Sequence, residues 1–125
     1  LKGNIKLKNN IHIAKGCTLS GDKKGIYIDD FVSLSNYTQV FAISDDYKYP
    51  YLSGGTLTVS QRKKYSKIIE GKVQINKCCI IGPFCVILPN TKFKKSFFYD
   101  LKNNKKFKRN YNKIKIKKKL FDEEF

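Results

Sequence analysis

The sequence predicts an all-β fold, a parallel β-helix of six-residue repeats in which short strands stack into a three-sided prism. Three observations carry that prediction. An apolar residue recurs every six positions at Leu1, Leu7, Ile13 and Leu19, at Ile28, Leu34 and Val40, and at Ile69, Ile75, Ile81, Ile87 and Phe93. Four residues after most of these stands a small or aliphatic one: Ile5, Ile11, Cys17, Val32, Thr38, Val73, Cys79, Cys85 and Thr91. Each unit is too short to bury anything alone, so stacking has to build the core. In a chain that is 41% apolar, twelve hits at twelve places arise by chance with a probability of roughly 10⁻⁵, which the choice of two register shifts raises by about two orders of magnitude.

Taken in order, the first block of units runs from Leu1 to Leu19. A short excursion, Ser20-Gly21-Asp22-Lys23-Lys24-Gly25, adds about three residues and reads as a turn widened by its two glycines. The units Ile28-Asp29-Asp30-Phe31-Val32-Ser33 and Leu34-Ser35-Asn36-Tyr37-Thr38-Gln39 follow. A long loop over residues 42–68 then interrupts the register, which resumes at Ile69 and ends at Phe93. The chain is therefore expected to divide into a repeat domain over 1–93, with the loop inserted, and a basic tail over 94–125. Three units make one turn, and successive turns lie about 4.8 Å apart, so about three turns give a stack on the order of 15 Å tall. Such a thin core with open strand edges predicts self-association.

An aliphatic residue, a small or acidic one next, and a small one at the fifth place recur in Ile13-Ala14-Lys15-Gly16-Cys17-Thr18, Ile81-Gly82-Pro83-Phe84-Cys85-Val86 and Ile87-Leu88-Pro89-Asn90-Thr91-Lys92. Over about residues 1 to 93 the chain resembles the hexapeptide-repeat acyltransferases, whose fold is a left-handed parallel β-helix. The left hand comes from the resemblance; the period alone does not set it. The order of a Ser-Asp-Asp-Tyr loop, a Pro, a basic run (Arg62, Lys63, Lys64, Lys67) and a return through Gly71-Lys72-Val73 into Ile80-Ile81-Gly82 and Ile87-Leu88-Pro89 looks like the galactoside and maltose acetyltransferase branch. That resemblance implies an acetyl-CoA-dependent O-acetyltransferase acting on a hydroxyl of a sugar or surface-polysaccharide precursor. The implied acceptor is a sugar, a nucleotide sugar or a glycolipid, and the implied assembly is a homotrimer.

The long loop crowds Ser44, Asp45, Asp46, Tyr47, Tyr49, Tyr51, Gly54 and Gly55 together. Aromatic faces, carboxylates and glycines suit a sugar-facing loop, and a bland reading makes the same stretch a tyrosine-rich surface loop. Asp45 and Asp46 are the candidates to position the acceptor hydroxyl or take its proton, with Ser44, Tyr47 and Tyr49 as substrate-binding candidates. The family's loop histidine is absent: the chain has one histidine, His12, which falls on an outward position of the first turn. An aspartate acts as base on a sugar hydroxyl only where its surroundings raise its pKa. By carry-over from the family, the coenzyme A arm touches Gly82, Pro83, Phe84, Pro89 and Asn90. Gly82 reads equally well as a plain corner glycine.

The remaining features narrow the function classes. Cys17, Cys79 and Cys85 fall on the small-residue track as compact fillers, whereas Cys78 is predicted to point outward; their spacing is not of the zinc type, so no metal is expected. Packing thiols imply a reducing cytoplasm, and no apolar stretch is long enough to span a bilayer. The net charge is +16, and the tail holds twelve basic residues against four acidic ones. It reads as a short helix from Lys113 to Phe125 packing on the prism, as a basic arm, or as the product of a lysine- and asparagine-rich composition. Lysine outnumbers arginine twenty-four to two, which argues against specific nucleic-acid recognition because the guanidinium forks that grip phosphate are scarce. Because the family adds a further turn and a final coenzyme-binding segment after Phe93, the alternative is a truncated, impaired member with a structural role.

Overall fold

The computed structural model describes residues 1–48, 50–100 and 105–108. With inward residues only six positions apart, most strands of the coil have room for two or three residues before a turn; β1 and β3 are longer. The order is β1 (Lys2–Leu7), β2 (His12–Ile13), β3 (Thr18–Ile28), β4 (Ser33–Leu34) and β5 (Gln39–Phe41). An arm follows, made of β6 (Ile43–Asp45), a 3-10 turn (Gly54–Thr56), α1 (Val59–Tyr65) and β7 (Ile68–Glu70). The chain returns through β8 (Val73–Ile75), β9 (Ile80–Ile81), β10 (Val86–Ile87), β11 (Lys92–Phe93), β12 (Phe97–Asp100) and β13 (Lys105–Lys108).

The strands stack in parallel on three faces that the chain visits in a fixed order. On the first, Leu7 pairs with Ile28, Ile28 with Ile75 and Ile75 with Phe93. On the second, Ile13 pairs with Leu34, Leu34 with Ile81 and Ile81 with Tyr99. The third aligns Leu19, Val40 and Ile87. The pairing residues are the six-residue apolar track, so the period is the register of the stack. Leu19, Ile28, Leu34, Val40, Ile75, Ile81, Ile87 and Phe93 are all buried, and the second track fills the corners between them with Val32, Thr38, Val73, Cys79 and Cys85. Each such aliphatic side chain contributes about 1.5–3 kcal/mol on burial.

A third track, unread in the sequence, sits three residues after each inward aliphatic. Asn10, Phe31, Cys78 and Ser96 hold φ of 57, 59, 64 and 63° at the corner between the first and second faces. Gly16, Tyr37 and Phe84 hold φ of 77, 59 and 58° at the next corner. This left-handed conformation costs a side-chain-bearing residue roughly 1–2 kcal/mol. It turns the N–H toward the preceding level, where the Phe31, Cys78 and Ser96 amides donate to the carbonyls of Asn9, Asp30 and Lys77, and those of Tyr37 and Phe84 to Lys15 and Asn36. Cys78 is therefore not an outward thiol: its place in that column leaves it 8% exposed. Among the described residues no cysteine is in a disulfide.

Two boundaries move. The stacking does not stop at Phe93, since β12 lies in parallel on β9 and β13 pairs with β12 in antiparallel fashion. The first and second faces are thus four strands deep, and the Phe93 and Tyr99 rings meet with centroids 5.4 Å apart. Ile69 keeps the period but belongs to the arm, where it pairs with Ser44. Ile26, hidden in the sequence by the glycine-widened turn, joins the filler track instead, fully buried between its partners Ile5 and Val73. The helix expected from Lys113 to Phe125 lies outside the described residues.

Candidate functional site

Both interruptions of the repeat fall on one corner, between the third and first faces. The other two corners are closed by the stacked left-handed residues, and an insertion there would break the column of N–H donors. At the third corner the first interruption is the turn Gly21–Gly25 inside β3, and the second is the whole arm. The arm's root is closed by the Gly71 amide donating to the Ala42 carbonyl at 2.9 Å. Asn90, at the same corner one level on, packs so closely under the root that a Cβ on Gly71 would lie 2.1 Å from its side-chain oxygen.

From that root β6 and β7 form an antiparallel stem, with Ile43 opposite Glu70 and Asp45 opposite Ile68. The two adjacent aspartates leave the stem on different sides. Asp46 is 7% exposed, its amide donates to the Lys67 carbonyl at 2.8 Å, and its Oδ1 accepts the Lys48 amide at 2.9 Å. Its carboxylate closes the turn out of the stem. Asp45 is exposed, and its Oδ2 accepts the Ser53 hydroxyl at 2.6 Å. Arg62 Nε donates to the Gly54 carbonyl at 2.8 Å, tying α1 to the glycine turn. A hollow of about 560 Å³ results, lined by Asp45, Gly54, Arg62, Lys63, Ser66 and Lys67 among others.

The predicted substrate residues are only partly brought together. Ser44 spends its hydroxyl on the Asp45 carbonyl at 2.6 Å. Tyr47 is 52% exposed, with the Lys48 ammonium 6.0 Å from its ring centre, and Tyr49 lies outside the described residues. Arg62, Lys63, Ser66 and Lys67 belong to the hollow, and Ser53 holds Asp45 beside it; none was singled out as a site residue in the sequence. Arg62 and the two lysines stood in the basic run, but nothing in their spacing told that the chain folds back on Asp45.

The positions carried over for coenzyme A divide between two corners. Gly82 is buried; its amide donates to the Tyr99 carbonyl at 2.7 Å and its own carbonyl accepts the Thr38 hydroxyl at 3.1 Å. Its backbone is used by the stack, as a corner glycine's would be. Pro83 and Phe84 are exposed beside it, and Phe84 stacks on Tyr37 with ring centroids 5.3 Å apart and planes within 9°. Pro89 and Asn90 stand at the arm's corner, Pro89 buried and Asn90 exposed with φ 68°. The single histidine, His12, lies on the second face beside Ser33, away from the arm's corner. Among the described residues no three Cys, His, Asp or Glu side chains come together to hold a metal, and no helix is long and apolar enough to cross a membrane.

No family model and no curated protein matches this sequence. Solved structures do. A mutant of AntD, an N-acyltransferase from Bacillus cereus, in complex with dTDP-4-amino-4,6-dideoxyglucose and coenzyme A superposes with a TM-score of 0.78 at 24% identity, over 96% of this chain and 71% of that one. AntD with dTDP and 3-hydroxybutyryl-CoA gives 0.75 at 25% identity, over 97% and 71% of the two chains. A further AntD mutant, with dTDP and coenzyme A, gives 0.58 at 18% identity over 95% and 85%. The stacked parallel fold is therefore that of the N-acyltransferase AntD.

Proposed function

We propose that this chain is an acyl-CoA-dependent acyltransferase whose acceptor is a nucleotide sugar, wound as a left-handed β-helix. One observation supports the reading most: 96% of the chain superposes on an N-acyltransferase that holds coenzyme A and a dTDP-amino sugar. In the reaction an acceptor oxygen or nitrogen attacks the thioester carbonyl. The tetrahedral adduct collapses with cleavage of the carbon–sulfur bond, the acceptor loses its proton, and the thiolate of coenzyme A leaves and takes one up. Of the two aspartates, Asp45 is the one open to solvent, and we assign it the acceptor: held by Ser53, its carboxylate accepts a hydrogen bond from the attacking group and orients it.

The acetyl group and the hydroxyl acceptor of the galactoside and maltose branch are the finer form of this reading. The amino sugar held by AntD makes an amine the rival acceptor. The continuation of the stack through Tyr99 weighs against the truncated, impaired alternative, which rested partly on an early end at Phe93. We read the chain as self-associating, because Phe84 and Val86 leave apolar surface 61% and 51% exposed along one corner and the third face. The trimer we take from the family resemblance and the cytoplasmic location from the packing thiols; light scattering at the monomer mass of 14.5 kDa would contradict the assembly.

The test is thiol release from acetyl-CoA and 3-hydroxybutyryl-CoA, with dTDP-sugars bearing either a free amine or only hydroxyls, and mass analysis of the product. Turnover with the amine alone assigns N-acylation, and turnover with hydroxyls alone assigns O-acylation. Asp45→Asn is expected to lower kcat/KM at least tenfold and Asp46→Asn to act mainly through the stability of the arm. No thiol release with any pair removes the enzyme reading.

A further inference from the structure

A second cavity, of about 440 Å³, lies on the first face just past the arm's return strand, and its lining includes Lys6, Lys8, Tyr27, Lys72, Gln74 and Asn76. The register builds it. Lys6 pairs with Tyr27 and Tyr27 with Gln74, each one residue before an inward aliphatic, so all three stand outward on one ladder. Lys72 follows the root glycine Gly71 and reaches the same ring. Its ammonium is 4.0 Å from the Tyr27 ring centre and that of Lys6 is 5.1 Å away.

Two like charges thus flank one phenol within a Debye length of each other, about 10 Å at 0.1 M salt. Lys8 is offset by Asp29 at 3.6 Å. Among the described residues neither Lys6 nor Lys72 has a carboxylate partner. The site's field also acts on the phenol: the hydrogen bond with Lys6, and the nearby charges of Lys6 and Lys72, hold the Tyr27 hydroxyl below its ordinary pKa against an opposing effect of desolvation. On the floor, Gln74 Nε2 donates to Asn76 Oδ1 at 3.1 Å, and Asn76 Nδ2 donates to the Phe93 carbonyl at 2.8 Å, so the polar floor is fixed.

We infer that this groove binds the pyrophosphate of a phosphate-bearing ligand, with Lys6 and Lys72 as its cation clamp and Tyr27 as the wall between them. Two ammoniums with no carboxylate to neutralise them, beside a phenol in an open cavity, match a doubly charged anion rich in acceptors. The choice of ligand rests on the proposed function: both a nucleotide sugar and coenzyme A carry a pyrophosphate, and either can supply it. The binding site itself stands without any acyl transfer.

Calorimetric titration of the full chain with inorganic pyrophosphate tests the groove at fixed ionic strength. The Lys6→Ala/Lys72→Ala variant is expected to weaken binding at least tenfold, while Lys94→Ala/Lys95→Ala, which removes the same charge from exposed residues elsewhere, changes it less than twofold. Equal losses in the two variants would mean that the net charge of +16 alone attracts the anion, and that overturns the inference, as does an absence of pyrophosphate binding. Titrations with dTDP and with coenzyme A then name the source, because the one whose affinity falls in the groove variant is the occupant. If neither falls, the groove is not a substrate site and the inference fails. Loss of acyl transfer with pyrophosphate binding intact would sink the proposed function and leave the groove standing.

Discussion

The stacked coil and the arm are built from opposite materials. In the coil, buried apolar side chains recur from level to level and the backbone amides are satisfied from one level to the next. The arm's 3-10 turn and α1 bury no residue at all. It is held by a three-residue stem, the Asp45–Ser53 and Arg62–Gly54 hydrogen bonds, and lysines lying against Tyr47, Tyr51 and Tyr65. Stability therefore resides in the coil, and the arm can change sequence and shape at low cost to the fold. That division suits a scaffold that carries a substrate-facing loop.

Mutations in the two regions should separate by size. Ile81→Ala, at the centre of the second face, is expected to cost about 3 kcal/mol through the lost contacts and the cavity left behind, read from the urea midpoint. A loss below about 1 kcal/mol would mean that the coil is not the cooperative unit. Gly16→Ala should cost about 1–3 kcal/mol, because Gly16 holds φ +77° and a Cβ would lie 2.3 Å from the Tyr37 ring. Phe84→Ala removes the exposed stack on Tyr37 and is expected to cost about 0.5–1.5 kcal/mol. Within the arm, Arg62→Ala should shift the same midpoint by no more than about 0.5 kcal/mol while lowering acyl transfer. If it unfolds the chain as Ile81→Ala does, the contrast between coil and arm is wrong.

How much could be read in advance differs between these regions for a physical reason. The register was legible because each inward aliphatic meets its equivalent one turn later, as Ile75 meets Phe93 eighteen residues on. Periodicity stays readable only while the insertions are short. The two that occur stretch the spacing from Leu7 to Ile28 to twenty-one residues and from Ile28 to Ile75 to forty-seven. Ile69 fell in step with the period by accident and was read into the coil, while Ile26 dropped out of it. Cys78 was misread because alternation describes strands, and this residue stands at a corner where the backbone turns left-handed. Asp45 and Asp46 were legible as candidates, but their separation into an open and a buried carboxylate depends on a stem no local pattern announces.

By itself, the sequence determined the six-residue period, the inward residues from Leu19 to Phe93 apart from Ile69, the filler positions taken by Cys79 and Cys85, and the existence of one long interruption. Those are repetitive, nearest-neighbour properties, which a one-dimensional stack writes directly into its chain. Leu1 and Leu7, read as inward, are 78% and 41% exposed at the open end of the stack. Only the tertiary structure decided that both insertions share a corner and that the stack extends to Tyr99. It also folded Ser53 back on Asp45 and brought Lys6, Tyr27 and Lys72 to one groove from three successive levels. Such sites join residues through the stacking direction, and contacts along that direction have no fixed spacing in the chain once insertions of unequal length intervene.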